Sequence, residues 1–187
     1  MNMEQNVIQK NMWNTAGKAG LFLGLASTVY LFISQSLGQV EIPAILNSII
    51  TFVLWSAKFA GCILIMRFFM KKFAAENSQV TNSGTFRLGM IMALLSALVY
   101  SAFAFANVAF ISPELFEAQM DIVMQQMAPM MDSNTQSMMD TYMENLPQIT
   151  FISNLIYCFI YGMILSFILS RNIPSKDPFA DYKPEEQ

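Results

Sequence analysis

Histidine does not occur in this chain of 187 residues. That removes the side chain most used as a general base near neutral pH and most used as a transition-metal ligand. Cysteine occurs twice, as Cys62 and Cys158. Both fall in apolar stretches, neither has a second cysteine at metal-ligand spacing, and both read as small apolar residues. Charge is scarce: Asp, Glu, Lys and Arg make up 12% of the chain against 55% hydrophobic residues, which excludes an ordinary soluble domain. The scarcity is also patterned. No Asp or Glu lies in any of the long apolar stretches, and no Lys or Arg lies in residues 112–148. A Gly-rich phosphate loop, a metalloprotease motif, a nucleophile elbow and a nucleic-acid module are all missing. The chain therefore reads as a non-enzyme, with no cofactor, no resident metal and no nucleic-acid partner expected.

What is present are four apolar runs, at 19–37, 42–66, 88–111 and 149–170. Each approaches or exceeds the ~20 residues a helix needs to cross the hydrocarbon core. Nine of the ten Lys and Arg residues fall in alternate gaps between the runs. The gap at 112–148 carries Glu114, Glu117, Asp121, Asp132, Asp140 and Glu144, and Glu41 lies on the same side. This is the positive-inside pattern of a multi-pass protein. It predicts a membrane-spanning chain with both termini cytoplasmic. The first run is too long for a signal-peptide core and no small-residue cleavage site follows it, so it reads as an uncleaved helix. The fold class expected is an all-α membrane protein: a four-helix transmembrane domain over 1–171, a two-helix amphipathic extracytoplasmic segment between the third and fourth spans, and a disordered cytoplasmic tail over 172–187.

Local signals refine this. Residues 1–18 read as a polar interfacial segment. Pro43 suits the first turn of the second helix, and Asn82-Ser83-Gly84 reads as a turn before the third. Ser112-Pro113-Glu114 is a helix start, with Ser as cap and Pro in the first position. Beyond it Phe116, Met120, Val123, Met124, Met127 and Met131 recur at helical spacing, with Glu114, Glu117, Asp121 and Gln125 toward the opposite face. Pro129 should interrupt this helix. A second starts at Asp132 or Ser133, where Ser133 and Gln136 have capping-box spacing.

Four groups of residues are candidates for function. Lys58 lies inside the second run, nine residues before Arg67, or about 13 Å of helix. A lysine stem spans only part of that. Asn47, Thr51 and Lys58 share an intramembrane polar face with Trp55 and Cys62. With no carboxylate in the spans, Lys58 is either snorkelled and hydrogen-bonded or the site of an anion or lipid headgroup. Arg67, Lys71, Lys72 and Arg87 set topology and can hold anionic headgroups. Gly20 and Gly24, and Gly89 and Ala93, belong to small-residue ladders that let membrane helices approach closely, within one bundle or between two copies of the chain. Met120, Met124 and Met127 are weak candidates for Cu(I), a thioether-seeking ion; the plainer reading is an apolar stripe.

Lys18-Ala19-Gly20 opening the first run, Phe86-Arg87-Leu88-Gly89 opening the third, Ser112-Pro113-Glu114 after it, an acidic outer segment and a short last run together resemble a family of small four-span inner-membrane proteins of Gram-negative bacteria, catalogued as a domain of unknown function. The resemblance covers residues 10–172 and implies a location and a fold, not an activity. The function expected is that of a non-enzymatic accessory or scaffold protein acting through lipids, a second copy or another membrane protein. The alternatives are a small transporter or channel-like protein using Lys58, and outer-face Cu(I) handling by the methionines.

Overall fold

The computed structural model describes residues 3–77, 79–127 and 132–173. The chain forms α1 (Met3–Gly38), α2 (Ala44–Glu76), α3 (Asn82–Ala106) running into a wide turn at Asn107–Ile111, α4 (Pro113–Met127), α5 (Ser133–Glu144) and α6 (Leu146–Ser170). No strand occurs among the described residues. Four stretches, Val7–Gly38, Ala44–Glu76, Asn82–Ile111 and Leu146–Ser170, are long and apolar enough to cross a membrane. The chain is a multi-pass membrane protein.

Two helices outrun the bilayer. At 1.5 Å per residue, the 36 residues of α1 make about 54 Å, and the 33 of α2 about 50 Å. The hydrocarbon core is ~30 Å thick. Residues 3–18 are thus not a separate interfacial segment; they continue α1. The reason is a stripe the interfacial reading overlooked. Ile8, Met12, Ala16, Ala19 and Leu23 follow helical spacing and pack into the core. In α2 the matching residues are Met66, Met70 and Phe73, all buried.

The helix starts also differ in detail from the expectation. Pro43 is the residue before α2, its carbonyl accepting from the Asn47 amide at 3.0 Å. Asn82-Ser83-Gly84 is the first turn of α3, not a turn before it. Thr81 caps the helix with a hydroxyl that faces the Gly84 amide at 3.4 Å. At α5 the cap is Asp132, whose carboxylate accepts from the Thr135 amide at 2.8 Å. α4 begins at Pro113 as expected. The expected breaks at Pro129 and in the 174–187 part of the tail lie outside the described residues, as do Met130 and Met131.

Helix α3 is central and packs along α1 on one side and α6 on the other. Lipid tails are as apolar as leucine, so close packing, not burial from water, must hold such helices together. The small residues supply it. A Cβ added to Gly20 would lie 2.6 Å from that of Leu95, and one on Gly24 2.6 Å from that of Val99. At the other face Gly162 sits against Ala93, and Gly89 against Ser166. The Gly20–Gly24 face therefore packs against α3 of the same chain.

One end of the bundle is tied more firmly than the other. At the end where α1 starts and α6 stops, Met70, Phe73, Leu88, Ala16 and Ile173 are buried together. The Asn82 amide donates to the carbonyls of Ser170 (2.8 Å) and Arg171 (2.9 Å), the Thr85 hydroxyl to that of Ile173, and the Ser166 hydroxyl to that of Phe86 (3.0 Å). Lys18, Arg67, Lys71, Lys72, Arg87 and Arg171 are all exposed at this basic end. At the opposite, acidic end, the first half of α2 leaves Ile45, Ile49, Phe52 and Val53 exposed.

Candidate functional site

Midway along the bundle the four long helices line a cavity of about 130 Å³. Its residues come from a common depth. Ser27 is nine residues from Lys18, Lys58 nine from Arg67, Ser96 nine from Arg87, and Tyr161 ten from Arg171. All therefore lie about 14 Å inside the basic end. Four antiparallel helices whose charges are pinned at one interface bring the same register of residues to the same level.

Lys58 is the charge in this cavity, and aromatic rings accompany it. Its ammonium lies 4.6 Å from the centre of the Tyr30 ring and 5.2 Å from that of Tyr100. The negative face of an aromatic ring attracts a cation, by ~0.5–1 kcal/mol at exposed sites and about 2 or more when desolvated. Among the described residues no carboxylate approaches it; the ion pair found there, Lys72 to Glu76 at 3.9 Å, is exposed at the basic end and adds little. Ser27, Ser96, Cys62, Cys158 and Tyr161 complete the polar and sulfur lining. The Tyr161 hydroxyl oxygen is buried without a hydrogen-bond partner, as are Ser101 Oγ and Asn107 Oδ1. A buried polar atom in that state calls for an explanation, such as a ligand or an ordered water.

The walls are not closed. Trp55 and Phe59 of α2 are 50% and 39% exposed, and Tyr157 of α6 is 73% exposed. The rim formed by these three cavity-lining residues faces sideways, between α2 and α6. Phe59 stacks on Trp55 at 5.3 Å and meets Tyr161 at 5.2 Å, so aromatic surfaces line the opening.

The structure gathers only part of the expected polar face. Lys58 joins Trp55 and Cys62 at the cavity. Thr51 is exposed and Asn47 half-exposed, and neither lines the cavity. They lie nearer the start of α2. Tyr30, Tyr100, Tyr157 and Tyr161, which complete the site, were not singled out from sequence. A signal existed: tyrosine concentrates at membrane interfaces, so mid-span tyrosines are out of place unless they face something polar.

The other candidates lie elsewhere. Arg67, Lys71, Lys72 and Arg87 are exposed around the basic end. Arg171 lies over the Phe167 ring at 4.6 Å. Gly20, Gly24, Gly89 and Ala93 form the helix contacts described above. On α4, Met120 and Met124 are half-buried and Met127 is exposed. A cleft lined in part by α4 and α5 includes Glu117, Asp121 and Glu144. Among the described residues no three His, Cys, Asp or Glu side chains are grouped to hold a metal ion.

Near the acidic end α3 ends in its wide turn, where the Ser112 amide donates to the Asn107 carbonyl at 2.9 Å, five residues back. The turn sets Asn107 facing α1, and its amide donates to Gln35 Oε1 at 2.7 Å. Such turns are often found at functional sites.

A family profile described as protein of unknown function (DUF4199) matches residues 18–171. No curated protein and no solved structure matches the chain.

Proposed function

We propose, on the premise that the chain belongs to the DUF4199 family of proteins of unknown function, that it is a non-enzymatic accessory protein of a bacterial inner membrane and works by holding a lipid-like anion at Lys58. One observation carries this reading: a lysine in the middle of a membrane bundle, braced by Tyr30 and Tyr100, faces a cavity that contains no carboxylate. A charge at that depth is a functional candidate by default. The missing counter-charge is what a ligand would bring. The lack of histidine in the chain and of acids in the spans removes the commonest general bases, which favours binding over chemistry.

The charge asymmetry supports placing the basic end, with the start of α1 and the end of α6, in the cytoplasm. A transporter would need a path to both aqueous faces. The exposed rim on α2 and α6 points toward lipid, which favours retention over passage.

Native mass spectrometry of the protein extracted gently from its own membrane tests this. The wild type should carry an anionic adduct that Lys58→Leu lacks. Equal spectra from the two proteins would sink the reading.

A further inference from the structure

We infer that the cavity around Lys58 takes the carboxylate of a single-chain amphiphile, a long-chain fatty acid anion, which enters sideways from the bilayer between α2 and α6. The inference rests on the anion-site reading above and narrows it to one chemical class.

Depth argues first. The site lies about 14 Å inside the basic end. The phosphate of a bilayer lipid belongs in the headgroup region, outside a hydrocarbon core ~30 Å thick. To reach Lys58 it would have to drag its glycerol and second chain with it. A carboxylic acid carries nothing beyond its own chain and can cross apolar layers in its neutral form.

Size argues next. About 130 Å³ admits a carboxylate and the first carbons of a chain. The chain has a way out past Trp55, Phe59 and Tyr157, whose exposed surfaces are largely ring carbon.

Hydrogen bonding argues third. Tyr30 and Tyr100 cover two sides of the Lys58 ammonium with ring faces, which attract the charge but accept no ordinary hydrogen bond. An ammonium has three donors. Tyr161 lines the same cavity, and its hydroxyl is buried and unpartnered. A carboxylate offers two acceptor oxygens, one for the ammonium and one for the phenol. A fatty alcohol of the same length would engage the donors without supplying the charge.

The test uses the indole at the opening. The chain has two tryptophans, Trp13 and Trp55, so Trp13→Phe leaves Trp55 as the reporter. The full chain in a neutral detergent is titrated with stearic acid brominated at mid-chain, which quenches a nearby indole. Saturable quenching is expected. It should weaken by about tenfold or more, about 1.4 kcal/mol, in Lys58→Met and for the matching brominated alcohol. Tyr161→Phe should weaken it by a smaller factor, and helical circular dichroism shows that each variant is folded. Equal, Lys58-independent quenching by acid and alcohol overturns the inference. If only a brominated two-chain phosphatidic acid binds in a Lys58-dependent way, the carboxylate inference fails while the anion-site reading survives. If no anion depends on Lys58, both fall.

Discussion

A lysine in the apolar part of a membrane helix must snorkel, pair, or find polarizable neighbours. Lys58 does the third, with two tyrosine rings within 5.2 Å. Its contribution can be isolated by a double-mutant cycle. Tyr100→Leu should destabilise the protein in an unfolding titration when Lys58 is present and much less in a Lys58→Met background. The expected coupling is about 0.5–2 kcal/mol; a coupling of zero would mean the rings and the ammonium are neighbours without attraction. The glycines give a second contrast at this scale. Gly24→Leu forces a side chain against the Val99 Cβ, 2.6 Å from where its own Cβ would be, and should lower stability by about 1–3 kcal/mol. Gly61 has nothing within 4 Å of its would-be Cβ, so Gly61→Leu should leave the melting temperature nearly unchanged. Thermal unfolding of the two variants side by side checks both.

The spans were legible as elements because physics leaves the chain little choice: a long apolar run in lipid must close its hydrogen bonds internally, as a helix. Their ends were less legible. Asn82-Ser83-Gly84 has turn composition, yet Thr81 just before it caps a helix and α6 returns its final carbonyls to Asn82. Residues 3–18 look interfacial by composition, while the stripe from Ile8 to Leu23 matters only once α2 is known to extend alongside. The site was half legible. Helical period aligned Trp55, Lys58 and Cys62, but which face of α1, α3 and α6 meets them depends on helix rotation, set by notches such as Gly24 against Val99. The cap-to-end link between α3 and α6 makes its own prediction. Asn82→Ala removes the donor to Ser170 and Arg171. It should cost about 0.5–1.5 kcal/mol, and amide hydrogen exchange at Asn172 and Ile173 should accelerate while that of mid-α6 does not.

Across the whole molecule the charges divide by end, and so do the firmness of packing and the lengths of the helices. If the basic end is cytoplasmic, a membrane-impermeant maleimide should label Gln39→Cys in intact cells and Gln79→Cys only after lysis, both in a background of Cys62→Ser and Cys158→Ser. The reverse pattern would invert the topology. Labelling of both sites in intact cells would break the four-span arrangement itself.

The hydrogen bonds at the basic end also impose an order in time. Asn82 and Thr85 are held by carbonyls 88 residues later in the chain. While a ribosome is still making α4 and α5, three spans can already be in the bilayer, with the notch at Gly89 empty and the hydroxyl of Ser166 not yet made. The newborn protein is therefore recognisably unfinished until its last helix arrives. A membrane protease could read that unfilled groove as a mark of incompleteness, and a chain that stalls before α6 should be short-lived even though most of its hydrophobic mass is already inserted.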